Sequence, residues 1–188
     1  QSRVGAAVKD MEAAPALMQR MVDIANASYS PLDQTVEVYS RNVAVLRDLG
    51  RGATEAADFT EALNHALVIT ATRGERAASV QNALSKAMAV GKLQADGLET
   101  VLANGGRVAE VLATQLGTNV NGLRAFASQG KITGDVIASA LIGNLSTLRD
   151  EAGAFPFVDG LCRLAGEART VLGPETDITY GADWSEYF

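Results

Sequence analysis

Residues 30–50, SPLDQTVEVYSRNVAVLRDLG, contain the pattern that decides the fold. Apolar residues recur in this stretch at intervals of four, three, four and three, which places them along one stripe of an α-helix. Ser30 is predicted as the N-cap and Pro31 as the first helical residue. Gly50 is predicted to end the helix, because glycine adopts the left-handed conformation that follows many helices. The apolar stripe consists of Leu32, Val36, Tyr39, Val43 and Leu46.

The same helical spacing recurs through the first 149 residues, with hardly any of the period-two alternation that is typical of strands. Thr72 and Glu75 have the spacing of a capping box at the start of one of these helices. The sequence therefore predicts an all-α fold, a compact multi-helix bundle of seven or eight short helices. Helices are expected to end near Ala27, to begin at Thr54 and at Thr72, and to cover Ala95 to Leu102, Arg107 to Leu116, Asn121 to Ser128 and Val136 to Leu148.

Composition excludes several classes of protein. The chain has 188 residues, with 22 Asp and Glu against 16 Lys and Arg. That acidic balance argues against a general nucleic-acid binder, which needs a basic face, and we expect no specific nucleic-acid partner. The longest apolar run without charge, Val136 to Leu148, is shorter than the roughly 20 residues of a membrane span. One cysteine, Cys162, and one histidine, His65, cannot form an internal disulfide or the usual zinc sites, so we expect no metal and no cofactor.

Charge and aromatic content divide the chain near residue 150. Residues 1–149 contain 14 acidic and 14 basic residues, whereas residues 150–188 contain 8 acidic and 2 basic residues. Six of the ten aromatic residues also fall in the second segment. We therefore predict a helical domain at 1–149 and a less regular, acidic, aromatic module at 150–188 that docks on a partner, although its aromatics could instead complete the domain's own core. The predicted partner-binding residues are Tyr180, Trp184, Tyr187 and Phe188.

The search for catalytic motifs finds only weak candidates. Gly91-Lys92 and Gly130-Lys131 lack the remaining residues of a phosphate-binding loop and are interpreted as helix ends. Glu61 and His65 lie one helical turn apart and are able to pair as an acid and a base. Without a nucleophile or metal ligands, we interpret His65 as a partly exposed surface residue and Cys162 as a buried apolar one. No catalytic residue is therefore predicted, and the chain is not expected to be an enzyme.

The order of these elements resembles that of the conserved helical domain of tailed-phage tape measure proteins. The resemblance covers about residues 17–145. It is carried by VDIAN at 22–26, LDQTVEVYSR at 32–41, FTEALNHAL at 59–67, AMAVGKLQADGL at 87–98, RVAEVLA at 107–113 and ASQGKITGDVIASAL at 127–141. Two Gly-Lys turns in this order and at this spacing make the resemblance specific, whereas residues 150–188 match no family pattern.

The resemblance implies a structural protein of the phage or prophage virion, made in the host cytoplasm. Several copies would lie together in the tail tube, set its length during assembly and contact the tail tube and the tail-tip or baseplate proteins. Because the chain starts at Gln1 and contains many glycine stops, we expect a folded piece of a longer protein that anchors one end of the ruler. Two alternatives remain at this point. One is a helical adaptor or regulatory module, and the other is a helical enzyme that uses Glu61 and His65.

Overall fold

The computed structural model describes residues 14–153, and within them it confirms an all-α bundle. This part of the chain contains nine α-helices, one short 3₁₀ segment at Val120–Gly122 and no β-strand. The helices are α1 Ala14–Ala27, α2 Leu32–Asp48, α3 Ala53–Ile69, α4 Gly74–Val90, α5 Ala95–Asn104, α6 Gly106–Gln115, α7 Leu123–Ser128, α8 Gly134–Gly143 and α9 Leu145–Gly153.

Helix α3 forms the centre of the bundle. Every residue from Phe59 to Val68 is buried, including polar ones. Helices α1, α2, α6 and α8 pack around it. Alanines at 56, 57, 62 and 66 let these neighbours approach closely, because their side chains end at Cβ. The largest buried side chains of the bundle include Tyr39, Phe59 and Met21.

The stripe of α2 lies in the core as predicted, except that Leu32 at its start is 40% exposed. Gly50 follows the helix with φ +80, which confirms the predicted stop. The predicted N-cap is wrong by one residue. Pro31 occupies the N-cap position, and the hydroxyl of Ser30 donates to the carbonyl of Ser28 instead.

Two other predicted boundaries differ from the structure. The expected capping box does not form, because α4 begins at Gly74 and Arg73, not Thr72, occupies the N-cap position. The hydroxyl of Thr72 donates to the carbonyl of Asn104 at 2.6 Å. The expected single helix from Val136 to Leu148 is divided into α8 and α9 at Asn144. The side chain of Asn144 donates to the carbonyl of Ala140, which satisfies a free carbonyl near the end of α8.

The last described helix, α9, continues to Gly153. Residues 1–13 and 154–188 lie outside the described part, so the division of the chain into 1–149 and 150–188 stays a prediction. Among the described helices, none combines the length and the apolar character needed to cross a bilayer.

Gly105 fits tightly where α5 meets α6. A Cβ atom at this position would lie 3.1 Å from Val80 Cγ1 and 3.2 Å from the carbonyl oxygen of Val101. A Cβ atom at Gly143, the last residue of α8, would meet no heavy atom within 4 Å. The Asn104-Gly105-Gly106 segment is therefore a close-packing point between two helices.

We predict that Gly105→Ala lowers the free energy of unfolding by about 1–3 kcal/mol, because the added methyl overpacks the junction. Gly143→Ala is the matched control and should raise that free energy by about 0.5 kcal/mol, since alanine restricts the unfolded chain without a clash. Urea denaturation followed by circular dichroism measures both values. Equal effects of the two substitutions would contradict the close packing at Gly105.

Candidate functional site

Glu61 and His65, the acid and base suggested by the sequence, face each other on α3. The distance between His65 Nε2 and Glu61 Oε1 is 3.6 Å. The expectation that His65 is partly exposed is wrong, since only 2% of its surface is accessible. Neither ring nitrogen has a hydrogen-bond partner among the described residues. The pair is therefore in contact, but it is sealed inside the bundle.

Two arginines from opposite ends of the described chain hold the Glu61 carboxylate. Arg149 of α9 donates from Nε and Nη2 to Glu61 Oε1 at 2.8 and 2.6 Å. Arg20 of α1 places Nη2 3.5 Å from Glu61 Oε2 and also pairs with Asp58. We call Arg20, Asp58, Glu61 and Arg149 the Glu61 clamp, because these side chains connect α1, α3 and α9.

The electrostatics of the clamp disfavour acid–base chemistry. Burial by itself would raise the pKa of Glu61, but the neighbouring His65 and Arg149 outweigh this effect and lower the pKa to about 2. A general base works best when its pKa lies near the operating pH. Glu61 therefore remains an ionised carboxylate at neutral pH, and its geometry suits a structural ion pair.

A second feature is a groove of about 260 Å³ that opens between the α1–α2 turn and the α3–α4 turn. Its walls are largely apolar and come from α2, α3 and α4. Tyr29 and Arg73 lie at its rim. The apolar lining includes Pro31, Leu67, Val68 and Ala77, and polar side chains of Asn64 and Gln81 also reach the groove.

Buried amides connect the groove to the core. Asn64 donates from Nδ2 to Thr35 Oγ1 at 3.2 Å and to Ser28 Oγ at 3.5 Å. Gln81 donates from Nε2 to Asn64 Oδ1 at 3.4 Å. Gln81 is 8% exposed, and its Oε1 accepts no hydrogen bond from the residues that the structure describes. One end of this amide is therefore free to pair with a ligand.

The turns that form the rim contain unusual backbone conformations. Tyr29 and Ala71, with φ of +47 and +50, are the two non-glycine residues of the described chain in the left-handed region. Such positions cost roughly 1–2 kcal/mol each and often accompany functional sites. Arg73 Nη1 donates to the carbonyl of Tyr29 at 3.2 Å, which links the two turns. Tyr29 as a whole is 43% exposed beside the groove.

The two Gly-Lys turns are helix ends, as predicted, but they also pair with each other. Gly91 ends α4 with φ +89. The amide of Leu93 donates to the carbonyl of Ile132 at 2.8 Å, and Gly134 donates to Gly91 at 3.2 Å. These bonds surround an antiparallel bridge between Lys92 and Thr133. Apart from the recurrence of the two dipeptides, nothing in the sequence predicts this pairing.

The partner-binding residues predicted from the sequence cannot be compared with the structure. Tyr180, Trp184, Tyr187 and Phe188 lie outside the described residues, as does Cys162. Within residues 14–153, no group of three or more His, Cys, Asp or Glu side chains is arranged to hold a metal ion. The groove was not predicted from the sequence, although the aromatic Tyr29 just beyond a predicted helix end was a usable signal.

Comparison with known families identifies the chain. The family model described as tape measure protein matches residues 1–157. The chain belongs to the tape measure protein family. This confirms the resemblance based on the motifs between residues 17 and 145. Searches of curated proteins and of solved structures found no match.

Membership in this family gives the chain a structural role in the phage tail and places it in the virion. Tape measure proteins are structural rather than catalytic proteins. Hydrogen bonds between an ionised carboxylate and a guanidinium group are stronger than those between neutral groups. The Glu61 clamp of this tape measure domain is therefore best explained by stability.

We predict that Glu61→Gln destabilises the domain and removes part of its acid sensitivity. Because the pKa of Glu61 falls from 4.5 in the unfolded chain to about 2 in the folded one, ionised Glu61 contributes about 3 kcal/mol at neutral pH. That contribution is complete above about pH 5 and disappears as the pH falls towards 2. Urea denaturation at pH 7 and pH 3 should show the larger loss for Glu61→Gln at pH 7.

The matched control is Glu37→Gln, which removes an exposed ion pair with Arg41 on the surface of α2. Its effect should be below about 1 kcal/mol at both pH values. A loss for Glu61→Gln that is as small as this control would contradict the clamp.

Proposed function

We propose that this chain is a folded segment of a tape measure protein that anchors the ruler to the tail tube and the tail-tip or baseplate proteins. The match of the tape measure family model to residues 1–157 is the observation that carries the proposal. Several copies assemble in the host cytoplasm and lie together in the tail. In this proposal the measuring is done by extended parts of the ruler, and the bundle positions one end of it.

The dimensions of the bundle support an anchor. Its longest helices have 17 residues, which corresponds to about 26 Å at 1.5 Å per residue. As one continuous helix, 188 residues would span roughly 280 Å. Glycine turns after α2, α4 and α6 fold the described chain back on itself. A compact segment contributes little length, but it offers a stable body for attachment.

The Glu61 clamp supports the same function. Arg20 and Arg149 lie on the first and the last described helices, and both contact Glu61 on the central helix. A pull on the chain at either side of the bundle would reach these contacts early. An anchor that holds a ruler has to resist such a pull, and a buried carboxylate between two arginines provides this resistance.

The test uses the phage or prophage that encodes the chain. Tails are purified, and mass spectrometry should detect peptides from residues 14–153 in them. In-frame deletion of this region should then prevent tails from forming or leave them without a tip complex in electron micrographs. Complete absence of the chain from purified tails would overturn the proposal.

Deletion of the same region also distinguishes an anchoring role of residues 14–153 from a length-measuring role. If residues 14–153 measured length as an extended helix, tails lacking them would be normal in shape but shorter by about 210 Å, at 1.5 Å per residue. Such shortened tails with an intact tip would contradict the anchor. A phage carrying Gly143→Ala serves as the control, because this change should leave both the fold and the tails intact.

We further propose that the acidic segment 150–188 is a docking module that binds a neighbouring subunit. Its charge and aromatic content differ from those of the rest of the chain, and large aromatic side chains are common anchors of protein interfaces. The residues proposed to make the contact are Tyr180, Trp184, Tyr187 and Phe188.

Deletion of residues 175–188 should weaken assembly, as measured by sedimentation of the purified chain and by the yield of tails. Circular dichroism should show unchanged helical content, because the bundle does not need this segment in the proposal. Replacement of Trp184, Tyr187 and Phe188 by alanine should reproduce the defect without shortening the chain. A loss of helicity after the deletion would instead mean that the segment completes the core.

A further inference from the structure

We propose that the groove between the α1–α2 and α3–α4 turns binds a tyrosine side chain presented by a peptide segment of a neighbouring tail protein. The identity of the neighbour rests on the proposed function, whereas the preference for a phenol ring rests on the groove alone. Three observations carry the proposal: the size of the groove, its apolar walls and the free end of the Gln81 amide.

The groove has the right size for one aromatic ring. Its volume is about 260 Å³. An engineered apolar cavity of roughly 150 Å³ is large enough to bind benzene in another protein. The groove thus accommodates a ring with a para substituent and leaves space for its attachment to a peptide. Its opening beside the two turns allows a chain to approach from solvent.

The walls favour an apolar body over a charged side chain. Pro31, Leu67, Val68 and Ala77 contribute aliphatic surface from two helices, α3 and α4, and from the turn before α2. A cationic side chain would lose its hydration against this surface, and none of the residues that line the groove is acidic and able to pair with it. At the rim, the exposed ring of Tyr29 can pack against an incoming ring edge to face.

The Gln81 amide favours a bound side chain that carries a hydrogen-bond donor at its end. The Nε2 atom of Gln81 donates to Asn64 Oδ1, while Gln81 Oε1 has no hydrogen-bond donor among the described residues. A phenol hydroxyl at the end of a bound ring can donate to this oxygen, whereas a phenylalanine ring would cover the oxygen and leave it unpaired. Tyrosine therefore combines the apolar body and the donor that the groove requires.

The experiment uses the full chain and two small probes, p-cresol and toluene, which represent the side chains of tyrosine and phenylalanine. Titration followed by amide NMR spectra should move the signals of residues around the groove, such as Tyr29, Leu67, Arg73 and Ala77. The p-cresol should bind more tightly than toluene, by a factor on the order of tenfold for one added hydrogen bond.

Two variants test the assignment. Gln81→Leu should remove the preference for p-cresol and leave toluene binding equal or stronger. Gln34→Trp, at a half-buried position of the groove lining, should block both probes. Gln115→Trp makes the same change at an exposed position at the end of α6 and should leave binding unchanged. If Gln81→Leu fails to fold, the comparison of the two tryptophan variants still tests the site.

The proposal is overturned if neither probe moves the groove signals, if toluene binds the natural chain as well as p-cresol, or if both tryptophan variants bind equally. None of these measurements depends on tail assembly. Absence of the chain from phage tails would defeat the anchoring function while p-cresol binding persisted, so the two failures are distinguishable.

Discussion

The burial of α3 on all sides is the constraint on which the rest of the bundle depends. Ten consecutive residues of this helix, Phe59 to Val68, are removed from water, and three of them carry a carboxylate, an amide and an imidazole. A buried polar group is costly unless it finds a partner. The surrounding helices therefore had to supply polar partners as well as apolar surface, and these partners determine where the two sites lie.

The Glu61 clamp and the groove are the places where the buried side chains of Glu61 and Asn64 find polar partners. The carboxylate of Glu61 is satisfied by arginines from α1 and α9, which draws the first and last described helices onto the centre. The amide of Asn64 is satisfied by hydroxyl groups and by Gln81, which keeps polar side chains between α2, α3 and α4 where apolar ones would close the space. The clamp and the groove thus both arise from polar residues buried on α3. His65 is buried on the same helix, and its ring nitrogens have no hydrogen-bond partner within the described chain.

The sequence predicts what depends on local pattern. The stripe of α2, the stop at Gly91 and the all-α class follow from spacing and from glycine chemistry over a few residues. The burial of His65 cannot be predicted from spacing. Helical periodicity identifies one apolar face, and it gives no information when every face of the helix is covered. The groove was also hidden, since its residues come from segments as far apart as Tyr29 and Gln81, and neither the free amide end nor the strained turns leave a motif. The capping box at Thr72 failed because α4 begins at Gly74 with Arg73 as its N-cap, so Thr72 lies one residue too early, and its hydroxyl instead donates to the distant Asn104 carbonyl.

Backbone pairing between the two Gly-Lys turns also holds the bundle together. Backbone bonds between residues 91–93 and 132–134 join the end of α4 to the start of α8, and α8 in turn packs on α3 and α4. Gly91 can adopt its positive φ without strain. The turn at residues 91–93 can therefore form its backbone hydrogen bonds with residues 132–134. Backbone pairing at one place and the Glu61 clamp at another both cross large separations in sequence. Each of these contacts joins segments that local helix propensity would leave independent of one another. The short helices are therefore held together as one body, which is the property that the proposed anchor requires.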